Sequence, residues 1–375
     1  MTSAADDILI IGGGFSGMAA AIELRKRGCA VDVVEIDPGW RSYGAGITLS
    51  GASLRAFRTL GILDEFLEHG AATDGLDLFL PNGQPIGSVP TPRIAGPDVP
   101  ATGGIMRPVL ARILADATRA SGADVRLGCT FTGIEQHGGG VDVTLSVGGR
   151  RRYDLVIGAD GVYSAVRAAV FPGAPTPQYT GQAVWRAVLP RPAEVRGAMM
   201  WMGHKVKAGV NPVSADQMYL FVTEDRPTND RIEPERFVSV LSDLLAPFTA
   251  PLMQTIRGQL DASSIVYRPL EGLLMPRPWH RGGVVLIGDT VHATTPHLAS
   301  GACIGIEDAI VLADELARHD DLTAALDAFQ ARRWERCRMV VENSARLGQL
   351  EIEGGSKDEQ TRIMRESLMA LAQPI

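Results

Sequence analysis

Three glycines at a strand-to-helix transition constrain this chain more than any other feature: Gly12, Gly14 and Gly17 of "DILIIGGGFSGMAAAIELRKRGCAVDVVE". The stretch reads as a strand at Ile8 to Ile11, a tight turn, a helix from about Phe15 to Arg27, and a second strand at Val31 to Ile36. In that setting each glycine of G-x-G-x-x-G has a reason. The first permits the sharp turn, the second lets backbone approach a pyrophosphate, and the third lets the helix lie close on the strand. Phe15 and Ser16 open a helix whose free N–H groups and positive dipole end attract phosphate. Glu35 closes the second strand at the spacing where a carboxylate accepts from a ribose hydroxyl. Its charge repels a 2′-phosphate, which argues against NADP in this slot. The reading is dinucleotide binding; a glycine-rich β-to-α connection without a ligand is the alternative.

The rest of the composition fits such a domain. A chain of 375 residues, 45% hydrophobic and 21% charged, buries a sizeable core and has room for two domains. A net charge of −7 gives no general attraction for nucleic acid or anionic membrane, so neither is expected as a partner. Cys29, Cys129, Cys303 and Cys337 show no paired spacing, which argues against a disulfide framework or a CxxC site. The opening "MTSAADDILIIGGG" has no basic segment of the kind a signal peptide needs, and no apolar run approaches the roughly 18 residues of a membrane helix. A soluble, cytoplasmic setting is expected.

Beyond the first unit, residues 41–70 read as a glycine-rich loop and one amphipathic helix, and 76–104 as a hairpin and excursion. "MRPVLARILADATRASG" places Leu110, Ile113, Leu114 and Ala117 on one helical face. "FTGIEQHGGGVDVTLSVGG" predicts a two-stranded ribbon, and "YDLVIGADGVYSAVR" a short buried strand added to the first sheet. Proline- and glycine-separated strands from 172 to 280, with a helix near 234–247, predict a mostly antiparallel module. Helices at 300–318 and 322–346 follow. The predicted fold is α/β with an α+β insert. Residues 1–75, 100–171 and 281–375 form a Rossmann-like domain with a parallel sheet and C-terminal helices, and 76–99 and 172–280 form a substrate-binding sheet. No second GxGxxG occurs, so a separate nicotinamide Rossmann domain is not expected.

One distant segment is unusually specific: "GGVVLIGDTVHATTPHLASGACIGIEDAIVLADEL", residues 282–316. A buried-strand run ends in Asp289, and a loop with two histidines and a proline precedes a long helix. Asp289, His292, His297 and Cys303 are metal-ligating types, but their spacing supports no metal, and none is expected. His292 reads as a satisfied structural histidine, Cys303 as a packed thiol, and "MMWMG" as core.

Taken together, "GGGFSG" with Glu35, "MRPVL", "GADG" at 158–161 and "IGDTVHATTPHLASGACIGIEDA" resemble the single-component FAD-dependent aromatic hydroxylases, the p-hydroxybenzoate and salicylate hydroxylase family. "NPVSADQMYLFV" and "TTPHLASGACIGIEDA" look most like its urate-hydroxylase members. The resemblance implies FAD, with Asp289 bonding the ribityl chain and Pro296 stiffening the loop along the ring. The amides of Gly301, Ala302 and Cys303 would face flavin N1 and O2, where a helix N-terminus stabilises negative charge. Arg107 would steady the FAD, Arg41 would contact it, and Asp160 would lie near the cofactor and the nicotinamide path.

The same resemblance implies reduction by NADH or NADPH, reaction with O2 through a C4a-hydroperoxyflavin, and hydroxylation of a small phenol-like aromatic or N-heteroaromatic substrate in a closed, mostly apolar pocket. His297 is the candidate base or proton relay. Tyr219 and Lys207 fall where the urate-type members place polar substrate contacts. His297 stands where those members carry an aspartate and Lys207 where they carry an arginine, which puts urate itself in doubt. A monomer or homodimer is expected. A flavin reductase or oxidase of a non-aromatic substrate, and a non-catalytic dinucleotide-binding module, are the rival readings.

Overall fold

The glycine turn dictates how the first sheet is assembled. In the computed structural model, which describes residues 4–375, β1 (Asp7–Ile11) passes through Gly12, at φ +109°, into α1 (Phe15–Lys26), and β2 (Ala30–Glu35) returns parallel to β1. That φ lies in the left-handed region that favours glycine. A Cβ on Gly17 would sit 2.0 Å from the Gly12 carbonyl oxygen, so α1 meets the turn at a distance no side chain allows.

The chain continues through β3 (Gly46–Ser50), α2 (Gly51–Leu60), α3 (Leu63–His69), β4 (Ala71–Thr73), β5 (Leu76–Phe79), β6 (Pro85–Val89) and β7 (Thr102–Met106). Where the sequence reads as a loop and one helix, there are a strand and two helices. β3 pairs with β7, a partner far along the chain, so no local pattern announces it. α2 and α3 are separated at Gly61, a left-handed C-cap at φ +84°.

Next come α4 (Arg107–Ala120), β8 (Asp124–Leu127), β9 (Phe131–His137), β10 (Gly140–Leu145), β11 (Arg150–Tyr153) and β12 (Leu155–Gly158). The expected two-stranded ribbon is a three-stranded sheet, β11-β10-β9. β11 reads "RRRY" and lacks the apolar alternation of a strand; long-range polar contacts recruit it. Arg151 pairs with Asp7 at 2.8 Å and Asp32 at 2.7 Å, and the Tyr153 hydroxyl donates to Asp32 at 2.8 Å.

The remaining elements are α5 (Ala165–Val170), β13 (Gln178–Pro190), β14 (Ala198–Met202), β15 (Val206–Pro212), β16 (Gln217–Asp225), α6 (Phe237–Leu245), α7 (Pro251–Gly258), β17 (Ile265–Gly272), β18 (His280–Arg281), β19 (Val284–Leu286), α8 (Asp289–His292), α9 (Gly301–Arg318), α10 (Leu322–Glu353) and α11 (Lys357–Ala372). α7 and α11 were not anticipated, and α10 runs on to Glu353, where Gly354 adopts a left-handed cap. Among the described residues, no helix is long and apolar enough to cross a membrane.

Two sheets position the site. The first is six-stranded, order β18-β19-β12-β1-β2-β8, parallel except at its β18 edge. β12 adds beside β1, which brings "GADG" against Gly12. The second is seven-stranded, order β17-β13-β16-β15-β14-β5-β6, antiparallel except between β14 and β5. One face of this second sheet buries Trp185, Trp201, Leu220 and Val222 against Leu241 and Leu245 of α6 and Met253 and Ile256 of α7. Truncating either tryptophan to alanine would cost roughly 3–5 kcal/mol. The opposite face meets the small β3-β7-β4 sheet on one side and α10 on the other.

Candidate active site

Two helix N-termini open toward one cleft. At α1, Gly14 occupies the N-cap with no side-chain cap bond and no acid in the first turn. A Cβ built on Gly14 meets nothing within 4 Å, so open space lies before the unsatisfied amides. At α9, Ser300 turns its hydroxyl to the Leu298 carbonyl at 2.7 Å and leaves the amides of Gly301, Ala302 and Cys303 uncapped by any side chain. Natural helices rarely leave these donors without partners, and an anion satisfies them. The two helices are locked together: a Cβ on Gly288 or Gly305 would lie 2.3 Å from Ser16 Oγ. Ser16 of α1 therefore fits between the β19 turn and α9.

The first end of the cleft is built around Glu35. Its Oε2 accepts from the Gly13 amide at 2.7 Å and its Oε1 from the Asp37 amide at 2.8 Å, which fixes the carboxylate beside the glycine turn with lone pairs to spare. Trp40 closes this end by donating its indole N–H to the Gly13 carbonyl at 2.8 Å, and the Arg119 guanidinium lies 4.8 Å over its ring. Trp40 escaped the sequence reading. Arg41 stays outside the turn, paired with Asp37 at 2.9 Å and largely exposed. Asp160 lies beside Gly12 through its backbone, but its carboxylate turns to the start of α5, accepting from Ser164 Oγ at 2.5 Å and the Val166 amide at 3.0 Å.

In the middle, Asp289 is exposed to the cleft and makes no hydrogen bond or ion pair among the described residues. Arg107 faces it, with its guanidinium 5.0 Å over the Phe15 ring and, among the described residues, no ion-pair partner. Burial pushes the Arg107 pKa down, and the Asp289 charge opposes that shift. The turn carrying Asp289 is pinned from behind. Asp308 Oδ2 accepts from the Gly288 amide at 2.9 Å and lies 2.6 Å from His292 Nε2, while Arg333 Nε donates to Asp308 Oδ1 at 2.8 Å. His292, Asp308 and Cys337 carry metal-ligating atoms within 4.8 Å of one another, but the cation lodged among them is Arg333, also 3.5 Å from Cys337 Sγ. Asp308 and Arg333 were missed; the signal available was "IEDA", two acids inside an apolar helix, with arginines in the helix that follows.

The far wall is the open face of the seven-stranded sheet. Strand pairing aligns Leu78, Met200, Gly209, Phe221, Arg186 and Val266 in one row across six strands. The sheet is held against the rest of the chain at either side of that row. On one side Gly46 and Gly104 admit Tyr219 and Pro212: a Cβ on either glycine would lie 2.2 Å from them. There the Tyr219 hydroxyl meets Thr48 Oγ1, which also accepts from Asn211 Nδ2 at 3.0 Å, and burial pushes the tyrosine pKa up. On the other side α10 covers Gln182 and Lys207. Between these seals, Leu78, Met200, Phe221, Arg186 and Val266 all keep partial exposure.

His297 and Lys207 meet at Glu351 of α10, a residue the sequence reading passed over. Lys207 Nζ lies 2.5 Å from Glu351 Oε1 and His297 Nε2 3.3 Å from Glu351 Oε2, while His297 Nδ1 is 2.8 Å from Thr295 Oγ1. Burial and the Lys207 charge hold the imidazole below its usual pKa, with Glu351 opposing. Burial alone would raise the Glu351 carboxyl, but the Lys207 charge and His297 hold it well below the usual range. Pro296 begins the single helical turn that carries His297, and Ala299, at φ +48°, redirects the chain into α9.

The residues fit a flavin dinucleotide along their whole length: uncapped amides for the pyrophosphate at α1, Glu35 for a ribose, unpartnered Asp289 and Arg107 midway, and a second uncapped helix at the ring. This fold and this cleft define a flavin-dependent oxidoreductase. Residues 6–344 match the model of the FAD binding domain family. The aurachin C monooxygenase/isomerase of Stigmatella aurantiaca is 33% identical over 92% of this chain and 89% of its own length. An FAD-dependent urate hydroxylase of Klebsiella oxytoca is 29% identical over 89% of this chain and 87% of its own. The crystal structure of Klebsiella pneumoniae HpxO complexed with FAD and uric acid shares the fold, with a TM-score of 0.82 at 24% identity over 98% of this chain and 93% of that one. The chain belongs to the FAD-dependent monooxygenases, the flavin aromatic hydroxylase family.

Proposed function

We propose that this enzyme hydroxylates a small, planar aromatic or N-heteroaromatic substrate held on the Leu78–Val266 row, with NAD(P)H and O2 as co-substrates. The observation that carries the reading is the row itself: Leu78, Met200, Phe221 and Val266 offer a flat apolar surface left partly uncovered between two sealed sides. Bound FAD would be held by the α1 amides, Glu35, Asp289, Arg107 and the α9 amides. The chemistry it supplies is electron acceptance from NAD(P)H and activation of O2 for transfer to an electron-rich ring.

The chain's own groups do the rest. Phe221, Met200 and Leu78 exclude water from the reacting face, which protects an oxygen-transfer step from hydrolysis. His297 takes a proton from an acidic O–H or N–H of the substrate. It starts neutral because it is buried beside Lys207, and Glu351 stabilises the imidazolium that forms. Tyr219 and Thr48, paired hydroxyl to hydroxyl, would offer a polar edge of the ring a contact at their side of the row. A family member named urate hydroxylase acts on an N-heteroaromatic, in keeping with a planar substrate here.

The test is turnover of the purified yellow protein against a panel of phenols and N-heteroaromatics, with NADH and NADPH in parallel and 18O2 in the gas phase. A productive substrate will stimulate NAD(P)H oxidation and gain one labelled oxygen. Peroxide as the sole oxygen product with every aromatic, together with turnover of an aliphatic substrate, would replace this reading by a reductase or oxidase.

A further inference from the structure

His297 is walled off from the cleft it is proposed to serve. Its side chain is 1% exposed, so an aromatic lying on the Leu78–Val266 row does not touch the ring. Both ring nitrogens are engaged, on opposite sides. Nδ1 stands 2.8 Å from Thr295 Oγ1, on the loop between α8 and α9, and Nε2 stands 3.3 Å from Glu351 Oε2 on α10. Hydroxyl, imidazole and carboxylate therefore lie in series, the hydroxyl at the loop end and the carboxylate at the helix end.

Charge decides which nitrogen carries the proton. The Glu351 carboxylate only accepts, so a lone pair on Nε2 would face like charge, whereas an N–H there is attracted, although the two are not aligned as a hydrogen bond at rest. Nδ1 is thus the basic nitrogen, and the Thr295 hydroxyl donates to it. Donation leaves the lone pairs of Oγ1 free to accept. Thr295 holds the N-cap position of the Pro296–Leu298 turn, where a threonine hydroxyl ordinarily bonds a helix amide; here it makes no cap bond and turns to the imidazole.

The helix α10 fixes the other end. A Cβ on Gly348 would lie 3.1 Å from His297 Cε1 and 2.8 Å from Gln182 Oε1, so α10 presses on the ring at a position where a helix interior would otherwise favour alanine. Gln182 Nε2 reaches Glu351 Oε2 at 3.3 Å and Lys207 holds Oε1, which keeps the carboxylate against the imidazole. Among the described residues, Glu351 from α10 and Lys207 from β15 are the charges that face the ring, with Asp225 of β16 behind Gln182.

We propose that Thr295 is the proton port of the site: its hydroxyl takes the proton from an acidic O–H or N–H of the bound aromatic and passes its own proton to His297 Nδ1. The substrate's O–H or N–H bond breaks as a new O–H forms on Thr295, and the old Thr295 O–H breaks as Nδ1–H forms. The products are a substrate anion and an imidazolium whose charge lies against Glu351. Run backwards, the same two transfers re-protonate the aromatic product. This deepens the proposed function and rests on it. It makes Thr295 a catalytic residue, and Gly348 and Glu351 positioning residues.

The test uses FAD-loaded enzyme and two readouts. In the wild type without substrate, 15N spectra of labelled histidine, with the His297 signals assigned by their loss in His297→Gln, should show a neutral ring protonated on Nε2 at mildly alkaline pH. A proton on Nδ1 would overturn the proposal. In turnover of whichever aromatic gains labelled oxygen, Thr295→Val, which keeps the shape and loses the hydroxyl, should lower kcat by roughly 100-fold or more with KM nearly unchanged. It should also lose the acid limb that reports His297, while FAD content and melting temperature stay those of wild type. Thr295→Ser should restore the limb and return kcat to within about 10-fold of wild type. A Thr295→Val enzyme that keeps its acid limb, or a Thr295→Ser enzyme no better than Thr295→Val, would equally overturn the port. If Thr295→Val does not fold, the histidine spectrum decides. Failure of the hydroxylase reading is read separately, from the absence of labelled product with every aromatic in wild-type turnover.

Discussion

The Asp308 carboxylate lies 2.6 Å from His292 Nε2 with both side chains fully buried, and the same carboxylate fixes the Gly288 amide at the foot of the turn that carries Asp289. A buried cluster thus sets the position of the exposed acid proposed to contact the cofactor. Removing one member strands Arg333 and His292 without their counter-charge, which typically costs about 3–5 kcal/mol. Asp308→Asn should lower the melting temperature and weaken FAD retention together, as followed by calorimetry and flavin content. A variant that lost neither would dissociate the cluster from the site.

The same pair predicts how stability depends on pH. Burial alone would raise the Asp308 carboxyl, but His292 and Arg333 hold it down at about 2, so its contribution is present above the ordinary carboxylate pKa of about 3.9 and is lost as pH falls from there toward 2. Burial alone would lower the His292 pKa, but Cys337 and Asp308 raise it well above normal. Its contribution is therefore complete below about 6.5 and is lost as pH rises through the raised value. Urea unfolding against pH should show a plateau bounded on both sides, and Asp308→Asn should flatten both flanks.

Gly14 separates cofactor loss from unfolding. Its φ of −75° and ψ of −179° suit any residue, and a Cβ there meets no protein atom within 4 Å. Gly14→Val should fold with an apoprotein melting temperature near that of wild type and purify colourless, because the branched side chain fills the space before the α1 amides. Gly12→Val, by contrast, should not fold well, since its Cβ would stand 2.4 Å from the Ala159 carbonyl oxygen. Stoichiometric FAD in Gly14→Val would refute a pyrophosphate site at this turn.

Lys207 and Glu351 should show strong coupling. Each side chain is less than one-fifth exposed, so either single change, Lys207→Met or Glu351→Gln, leaves a largely desolvated charge and should destabilise by on the order of 1–3 kcal/mol. The double variant removes both charges and should recover at least about 1 kcal/mol relative to the sum of the two. Additive denaturation energies would show that the pair is held by its surroundings.

His297→Ala should retain FAD but divert turnover from product to peroxide, measured as the ratio of hydroxylated product to NAD(P)H consumed. Because its folded pKa is depressed, the imidazole stays neutral above the ordinary value of about 6.5, and function fails as pH falls through the lowered value. That acid limb of kcat/KM should be missing in His297→Gln. An unchanged limb and unchanged coupling would remove His297 from the reaction.

The glycines, Glu35, Asp289 and the 296–303 loop were legible because each belongs to a contiguous stretch in which backbone geometry is written locally. Gly12 needs its φ whatever surrounds it, and a helix N-terminus needs only the residues that begin it. The split at Gly61, the recruitment of β11 and the extension of α10 were less legible: in these the deciding partner is far along the chain, as Asp32 is for Arg151.

The sequence alone determined that this chain builds a dinucleotide turn followed, far downstream, by an acid and an uncapped helix, since strand, turn and helix signals act over a few residues. Only the tertiary structure decided which charges are satisfied. Lys207 finds its partner 144 positions away on α10, while Arg186, two strands away on β13 and outwardly no different from any arginine in the sequence, finds none among the described residues. Charge pairing across a fold depends on register and docking, which residue order does not disclose.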